Sequence, residues 1–391
     1  MPPNASVPTL TLTGSPYKIG LAHGQQAKEL IHKNIKTYTS FFEETAQLSW
    51  SEATSRAEVF VPTIEKLYPA ILDEIRGIAD GSGLGFADIL ALNVRSEIAL
   101  TNYENTAPVP EITDGCTALA QLNATKSTLI VAQNWDWVED LAEGMLVLDI
   151  TPEKGLQRFY TLTEAGIVGK IGLNSAGLAI CMNALRCGAF NSDKLPTHIM
   201  ARYLLEHGTG FDSAVEMLRE FGGACTVNML LGDSTGKFGT AEVTPFGVSL
   251  LSPLSDSDRN EFDLKRGKGP SFIAHTNHVV TSPMDFPRGA IYDRPAPNSF
   301  SRLARVTELA KVDAERQVVA DAESVYARLK DQKGDPYGIC RGLPTSAKGM
   351  ERMTTLATVV MEMDVEGKTA KGSVTFGRPC DDGLQRGDWI F

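Results

Sequence analysis

Residues 7–13, Val-Pro-Thr-Leu-Thr-Leu-Thr, alternate apolar and polar positions, which is the two-residue period of a strand with one buried face. Gly14-Ser15-Pro16 makes a turn. Pro16, with its φ already near the helical value, suits the first position of a helix running to about Lys36. From 38 to 80 the apolar positions fall at helical spacing, with Phe60, Ile64, Leu67, Ile71 and Ile75 on one stripe. Asp88 to Leu100 reads as another short helix, so the chain begins helix-rich.

The period changes after Thr101. Pro108 and Pro110, set among polar residues, make 102–113 an exposed connector. From Cys116 onward short β-like runs occupy 117–122, 128–134, 144–150, 157–163, 167–173 and 177–183, separated by turn residues. Helical patterns return at 196–208 and 211–221. Strands follow at 226–232, 237–243 and 247–252, then a polar stretch from Ser255 to Gly269. A strand at 271–275, helices at 299–311 and 318–330, and strands at 354–363 and 369–376 close the chain. Strands grouped with helices in antiparallel-looking order predict an α+β fold of layered sheets, not a parallel doubly wound sheet.

Length and charge narrow the possibilities. A chain of 391 residues allows two or three domains at roughly 100–200 residues each, or one large one. With 37 basic residues against 48 acidic, the net charge of −11 argues against nucleic acid, which needs a basic footprint to displace counterions. No apolar run approaches the roughly 18–20 residues of a membrane span. Met1 to Ser6 has neither a basic nor an apolar signal-like stretch, and Trp389-Ile390-Phe391 is not a peroxisomal address. The six cysteines are scattered without CxxC pairs, so we expect a reducing compartment, the cytoplasm, and no disulfide framework, although an even count leaves pairing open.

Four stretches carry candidate chemistry. In Asp114-Gly115-Cys116-Thr117 a cysteine follows a glycine at the junction of connector and strand. With no side chain on Gly115, the thiol has open access to the preceding carbonyl, and an acyl shift to sulfur followed by hydrolysis would free Cys116 as a new N-terminus. An α-amine with a pKa near ~7.7–8.0 can then serve as base for its own thiol. On the tetrapeptide alone, a buried cysteine opening a strand is the commoner case. Gln133-Asn134-Trp135-Asp136-Trp137 places two indoles and a carboxylate at a strand end, where Asn and Asp usually only make turns. His275-Thr276-Asn277-His278 lacks the carboxylate or cysteine partners of a zinc site, so no metal is expected there. The amide of Asn277 is instead a candidate oxyanion donor. Arg352, just before the strand at 354–363, is a candidate cation, though a lone arginine is usually a solvated or salt-bridged surface group.

Other loops are uninformative. Gly166 to Gly172 fits neither GxGxxG nor GxxxxGK[ST], there is no GxSxG elbow, and no helix carries HExxH.

Taken together, these stretches resemble the acyl-coenzyme A:6-aminopenicillanic acid acyltransferase family, the isopenicillin N acyltransferase-like branch of the N-terminal nucleophile (Ntn) hydrolases. The resemblance runs from Gly14-Ser15-Pro16-Tyr17-Lys18-Ile19-Gly20 and His23-Gly24 through Glu74 to Ala79, Leu92 to Glu97 and Asp114-Gly115-Cys116-Thr117. It continues through Gln133-Asn134-Trp135-Asp136, Thr163 to Lys170, Asn174 to Gly177, His275 to His278, Ile339-Cys340-Arg341 and Gly377-Arg378-Pro379.

The resemblance implies a four-layer αββα sandwich, self-cleaved between Gly115 and Cys116. Residues 1–115 would form a small helix-rich subunit and 116–391 a large one, together a single Ntn domain and a heterodimer of its own pieces. Cys116 would be the nucleophile, Asp136 its positioning group, Asn277 the oxyanion-hole donor and Arg352 the catalytic arginine. The expected activity is acyl transfer between small amides or thioesters and amines, without cofactor or metal and with acyl-CoA as a possible co-substrate. The alternatives are an amidohydrolase acting on small N-acyl or β-alanyl amides, a thiol hydrolase using His275 or His278 as base without cutting itself, and an inactive scaffold that keeps the fold.

Overall fold

The structure is a computed structural model that describes residues 7–100, 115–188, 190–253, 271–281, 298–384 and 386–391. The connector at 102–113 and the polar stretch at 255–269 lie outside the described residues.

Two sheets form the centre. The first has eight strands in the order β1 (Thr9–Thr13), β4 (Met145–Thr151), β5 (Phe159–Glu164), β6 (Ile171–Asn174), β7 (Ala179–Ala184), β8 (Val227–Gly232), β9 (Phe238–Thr244) and β10 (Gly247–Leu251). The second has six, in the order β11 (Phe272–His275), β2 (Gly115–Leu122), β3 (Thr128–Val138), β12 (Met353–Asp364), β13 (Thr369–Phe376) and β14 (Arg386–Ile390). All pairings are antiparallel except β1 with β4. β2 and β3 pack on β7 and β8, and Gln133 ties the sheets by exchanging hydrogen bonds with the Met182 backbone.

Alternation along β3 sorts its side chains between two apolar layers. Leu129, Val131, Trp135 and Trp137 join the main core with the first sheet. Ile130 and Ala132 join a second cluster against the outer helices α10 (Ser299–Glu315) and α11 (Ala322–Leu329), with Val306, Val325 and Leu329. On β2, Cys116, Ala118 and Ala120 face the first sheet, and Leu119 faces the helices. On the far side of the first sheet lie α8 (Thr197–His207) and α9 (Phe211–Phe221). The layering is α, β, β, α, as expected.

The helical start is more broken than its periodicity predicts. The stretch 38–80 is shared among α2 (Lys28–Ala46), α3 (Trp50–Glu58), α4 (Val61–Leu67) and α5 (Pro69–Ser82), after α1 (Pro16–Gln26) and before α6 (Phe86–Asn93) and α7 (Arg95–Leu100). Gln47 in the left-handed region ends α2, and Ser49 with Glu52 closes a capping box on α3. α1 and α5 approach through paired glycines: a methyl on Gly20 or Gly24 would strike the carbonyls of Glu74 or Ile78, and one on Gly77 or Gly81 those of Tyr17 or Leu21. Only glycine permits backbones this close.

β1 supplies an edge strand to the first sheet, with Thr9 opposite Val147, so the helical start is built into the same body as the strands. The strand expected at 167–173 is displaced to Ile171–Asn174 because Ala165-Gly166, with Gly166 at φ +92°, turns the chain first. β14 was not expected; its five residues are too short and polar to show a period.

The cysteines correct the sequence reading. Cys340 and Cys380 form a disulfide, while Cys116, Cys181, Cys187 and Cys225 are buried thiols. Their separation of 40 residues carries no spacing signature, so only the fold brings them together. Among the described residues no helix is long and apolar enough to cross a membrane.

Candidate active site

Cys116 lies in the first turnings of β2, opposite Trp135 on β3, and its neighbour Gly115 lies opposite Asp136. Side chains of a cross-strand pair share a face of the sheet. Cys116 and Trp135 therefore point inward between the sheets. The Asp136 side chain stands on the other face with Gly115, near Arg302, Arg341 and Thr355, and Gly115 and Asp136 both also border the pocket. The inner face opens into a pocket lined by Cys116, Trp135, Trp137, Met182, Lys170 and Asn277, with Arg95, Ser96 and His198 on the far wall.

The backbone of Cys116 is held on both sides. Its N–H donates to Asn277 Oδ1 at 2.8 Å. Its carbonyl accepts from Arg302 Nη1 at 2.6 Å and from Asn183 Nδ2 at 3.3 Å. Arg302 Nη2 also donates to Asn277 Oδ1 at 2.9 Å. Two donors converging on one Asn277 atom fix it as the oxygen, so Nδ2 is the amide end, donating to Ala184 O at 3.0 Å. Asn277 is seated by its own N–H, which donates to Ser299 Oγ at 2.8 Å.

On the outer face Asp136 is fully buried. Its Oδ1 accepts from Thr355 Oγ1 at 2.6 Å, and its Oδ2 accepts no hydrogen bond among the described residues. Burial pushes its carboxyl up to about 7, although the nearby charges of Arg302 and Arg341 favour the ionised form. A side chain on Gly115 would lie between Asp136 Oδ2 and Arg341 Nη1, which explains the glycine before the cysteine.

The structure brings Cys116, Gly115, Asp136 and Asn277 together. It places Arg352 elsewhere. That side chain is 41% exposed, its Nε donates to Glu139 Oε2 at 2.9 Å, and it is not among the pocket residues. The buried arginines at the centre are Arg302 and Arg341, both at or below 1% exposure. Arg302 was legible in principle: with Val306 and Ala310 it continues the buried stripe of α10, an arginine in phase with apolar positions. Arg341 is fixed by its N–H to Thr355 Oγ1 at 2.9 Å and its Nε to Met353 O at 3.1 Å. Neither histidine of the 275–278 stretch lines the pocket. His275 Nε2 is 2.9 Å from Glu242 Oε1 and His278 Nδ1 is 2.7 Å from Ser299 Oγ, so both brace the Asn277 turn.

Lys170, in the stretch dismissed as a phosphate loop, proves to be a pocket residue. Its ammonium lies 3.3 Å from the centre of the Trp135 ring and donates to Glu164 Oε2 at 3.1 Å. Glu164 also receives Arg95 Nη2 at 3.1 Å and the Tyr38 hydroxyl. Glu164 stays charged, held down to about 2 by Arg95 and Lys170 against the effect of its burial. Burial in turn pulls Lys170 down to about 7, with Arg95 adding to the fall and Glu164 and Cys116 opposing it.

A model of the acyl-coenzyme A:6-aminopenicillanic acid acyl-transferase family matches residues 123–375. The chain is similar to the 40 kDa form of acyl-coenzyme A:6-aminopenicillanic-acid-acyltransferase from Emericella nidulans, 28% identical over 372 residues, covering 95% of this chain and 92% of the relative. It is also similar to protein dcd1A of Dictyostelium discoideum, 23% identical over 60% of this chain and 57% of that protein. Among solved structures, a conjugated bile acid hydrolase variant from Clostridium perfringens aligns at 14% identity with a TM-score of 0.44, over 70% of this chain and 92% of that one. Penicillin V acylase from Agrobacterium tumefaciens aligns at 15% with a TM-score of 0.40, over 67% and 83%. With the family matched across both sheets and a relative matched along nearly the whole chain, this protein belongs to the acyl-coenzyme A:6-aminopenicillanic acid acyl-transferase family and is an enzyme of the acyltransferase type.

Proposed function

We propose that the chain cuts itself between Gly115 and Cys116, and that Cys116, as the new N-terminus, then carries acyl groups from small amides or thioesters to amines. One observation carries this reading: Cys116 faces the pocket while its N–H and C=O are clamped by Asn277 and Arg302, beside a Gly115 that has no room for a side chain.

In the first step the thiol attacks the Gly115 carbonyl and the C–N bond to Cys116 breaks. Water then cleaves the thioester. In turnover the freed α-amine acts as base for the thiol, which attacks the substrate carbonyl. Asn277, released from the Cys116 amide, offers its Nδ2 side to the developing oxyanion, and Arg302 adds charge beside it. Asp136 anchors the strand beneath the nucleophile through its place under Gly115. The acyl-enzyme passes its acyl group to an amine, or to water if no amine is bound. The indoles of Trp135 and Trp137 and the side chains of Met182 and Val227 make a largely apolar pocket that favours the amine by excluding water. Acyl-CoA is the proposed donor for transfer, and the cleaved pieces are proposed to stay together as a heterodimer. No cofactor or metal enters the reading.

The Cys340–Cys380 disulfide weighs toward an oxidising compartment, against the cytoplasm expected from the scattered cysteines.

Intact-mass measurement under denaturing conditions tests the central claim. Fragments 1–115 and 116–391 are expected from wild type and a single full-length species from Cys116→Ala. An uncut wild type that still cleaves amides would remove the self-processing step. Release of CoA thiol with, against without, an added amine separates transfer from hydrolysis.

A further inference from the structure

Before the cut there is no α-amine at Cys116. Its nitrogen is a peptide N–H, already donated to Asn277 Oδ1. The thiol of the uncut chain therefore needs another proton acceptor, and the structure limits the choice. Asp136 lines the same pocket, but its side chain stands on the Gly115 face of the β2–β3 ladder, opposite the inward-facing Cys116. Among the described pocket residues that titrate, Asp136 is held through Oδ1 by Thr355 on that other face of the ladder, which leaves Lys170, His198 and Cys225 on the inner face, and Arg95 stays protonated at any working pH. His198 is committed: its Nδ1 donates to Gly169 O at 3.1 Å, its Nε2 faces Ser96 Oγ at 3.4 Å, and burial among Arg95 and Lys170 drives it well below the usual imidazole range. Burial and Glu97 push the Cys225 thiol far up.

Lys170 is left. It lies on the ring of Trp135, the residue directly across the ladder from Cys116, and shares the pocket with the sulfur. Of the groups facing it, Glu164 from β5 and the Cys116 sulfur from β2 favour its charged form, while Arg95 from α7 disfavours it and His198 from α8 is neutral. Burial outweighs the attraction, so the amine exchanges a proton near neutral pH.

Building on the self-cutting reading above, we propose that Lys170 is the proton relay of self-cleavage: in the uncut chain it takes the Cys116 thiol proton and returns it to the Cys116 nitrogen. The proton moves from Sγ to Nζ as the C–S bond to the Gly115 carbonyl carbon forms. When the C–N bond between Gly115 and Cys116 breaks, the same proton moves from Nζ to the departing nitrogen, which becomes the α-amine. Water then hydrolyses the thioester to the Gly115 carboxylate and the Cys116 thiol. No proton is gained or lost across the shift, and the product amine takes over the role of base. Lys170 serves the cut and the α-amine serves turnover.

The test follows cutting by intact mass over time, from pH 6 to 9, in wild type, Lys170→Arg and Lys170→Ala, with circular dichroism as a check of folding. Wild-type cutting should rise with pH through about 7, as Lys170 becomes neutral. Lys170→Arg keeps the charge but holds its proton, so it should stay folded and cut about 100-fold more slowly or worse, without that inflection. Ethylamine added to Lys170→Ala should restore cutting in proportion to the free amine. Cutting of Lys170→Arg at the wild-type rate, or a folded Lys170→Ala that cuts normally, would overturn the relay while leaving self-cleavage standing. An uncut wild type would remove both.

Discussion

Gly115 and Asp136 stand opposite each other across the β2–β3 ladder, so close that a methyl group on Gly115 would lie 2.5 Å from Asp136 Oδ2 and 2.9 Å from Arg341 Nη1. The residue whose carbonyl is attacked in the proposed cut is thus seated against Asp136 and Arg341. Gly115→Ala should push Asp136 or the strand aside at a cost of about 1–3 kcal/mol, the usual range for overpacking. The carbonyl would shift relative to Sγ, and processing should slow by more than tenfold. Time-resolved intact mass with thermal melting checks this; unchanged cutting would show that the Gly115 position is not tightly held.

The arginines offer a paired comparison. Arg302 joins the Cys116 carbonyl, the Thr117 hydroxyl and Asn277 Oδ1 from within the protein, whereas Arg352 makes a half-exposed pair with Glu139. Arg302→Met should lower acyl release by about 100-fold or more, the scale for losing one preorganised donor. Arg352→Ala should change it less than twofold, because exposed ion pairs contribute about 0–1 kcal/mol. Rates of CoA-thiol or amine release on the two purified variants decide. A large loss in Arg352→Ala would restore that residue to the site.

The contrast shows where sequence reasoning reached and where it stopped. The order of strands from 116 to 376 was legible because each has its own period or its own turn, whereas β14 was missed. Cys116, Asp136 and Asn277 were singled out through the family resemblance, each stretch being a weak signal alone, and the fold brings the three together. Arg302 lies 25 residues beyond Asn277 and reaches it only because α10 packs on β2 and β11. No local pattern records that contact. The same holds for Lys170, whose surroundings read as a strand, and for Cys340 with Cys380, which only the closing loops bring together. Arg352 was matched to the family's catalytic arginine, yet its side chain, just before β12, lies half-exposed against Glu139.

Asp136 should impose a pH dependence of its own. Burial raises its carboxyl to about 7, so it is protonated below that pH and ionised above it. If the charged form balances Arg302 and Arg341 in turnover, acyl release by already cut enzyme should fall as pH drops through about 7. Asp136→Asn should be slower and lose the inflection. Stability runs the other way: the unfolded carboxyl titrates near ~3.9, so the proton held by the fold stabilises it at low pH, and that contribution is lost as pH rises through 7. Melting curves of wild type and Asp136→Asn at pH 5 and 8 should therefore differ more at pH 8, in favour of the variant. A pH profile unchanged in Asp136→Asn would assign the inflection to another group.

The cut pieces should remain one body. Arg202, on α8, is 1% exposed and donates to Glu74 of α5 at 2.7 Å, with Glu206 completing the cluster. Glu164 receives Tyr38 and Arg95, and Asn34 and Asn93 each donate to backbone carbonyls beyond the proposed cut, at Gly144, Ala165 and Gly166. β1 adds a strand of backbone bonds to β4. Fragments 1–115 and 116–391 should therefore co-elute on size exclusion in native buffer and part only in denaturant. Arg202→Met leaves Glu74 buried without its partner, and removing one member of a buried pair costs about 3–5 kcal/mol. That variant should melt at lower temperature and shed the small fragment at lower urea concentration than wild type. Glu74 itself is raised to about 7 by burial, so the loss should be smaller below that pH, where the carboxyl can take a proton. Size exclusion across a urea series at pH 6 and 8 measures both effects, and an Arg202→Met heterodimer as durable as wild type at pH 8 would show that the ion cluster does not hold the pieces together.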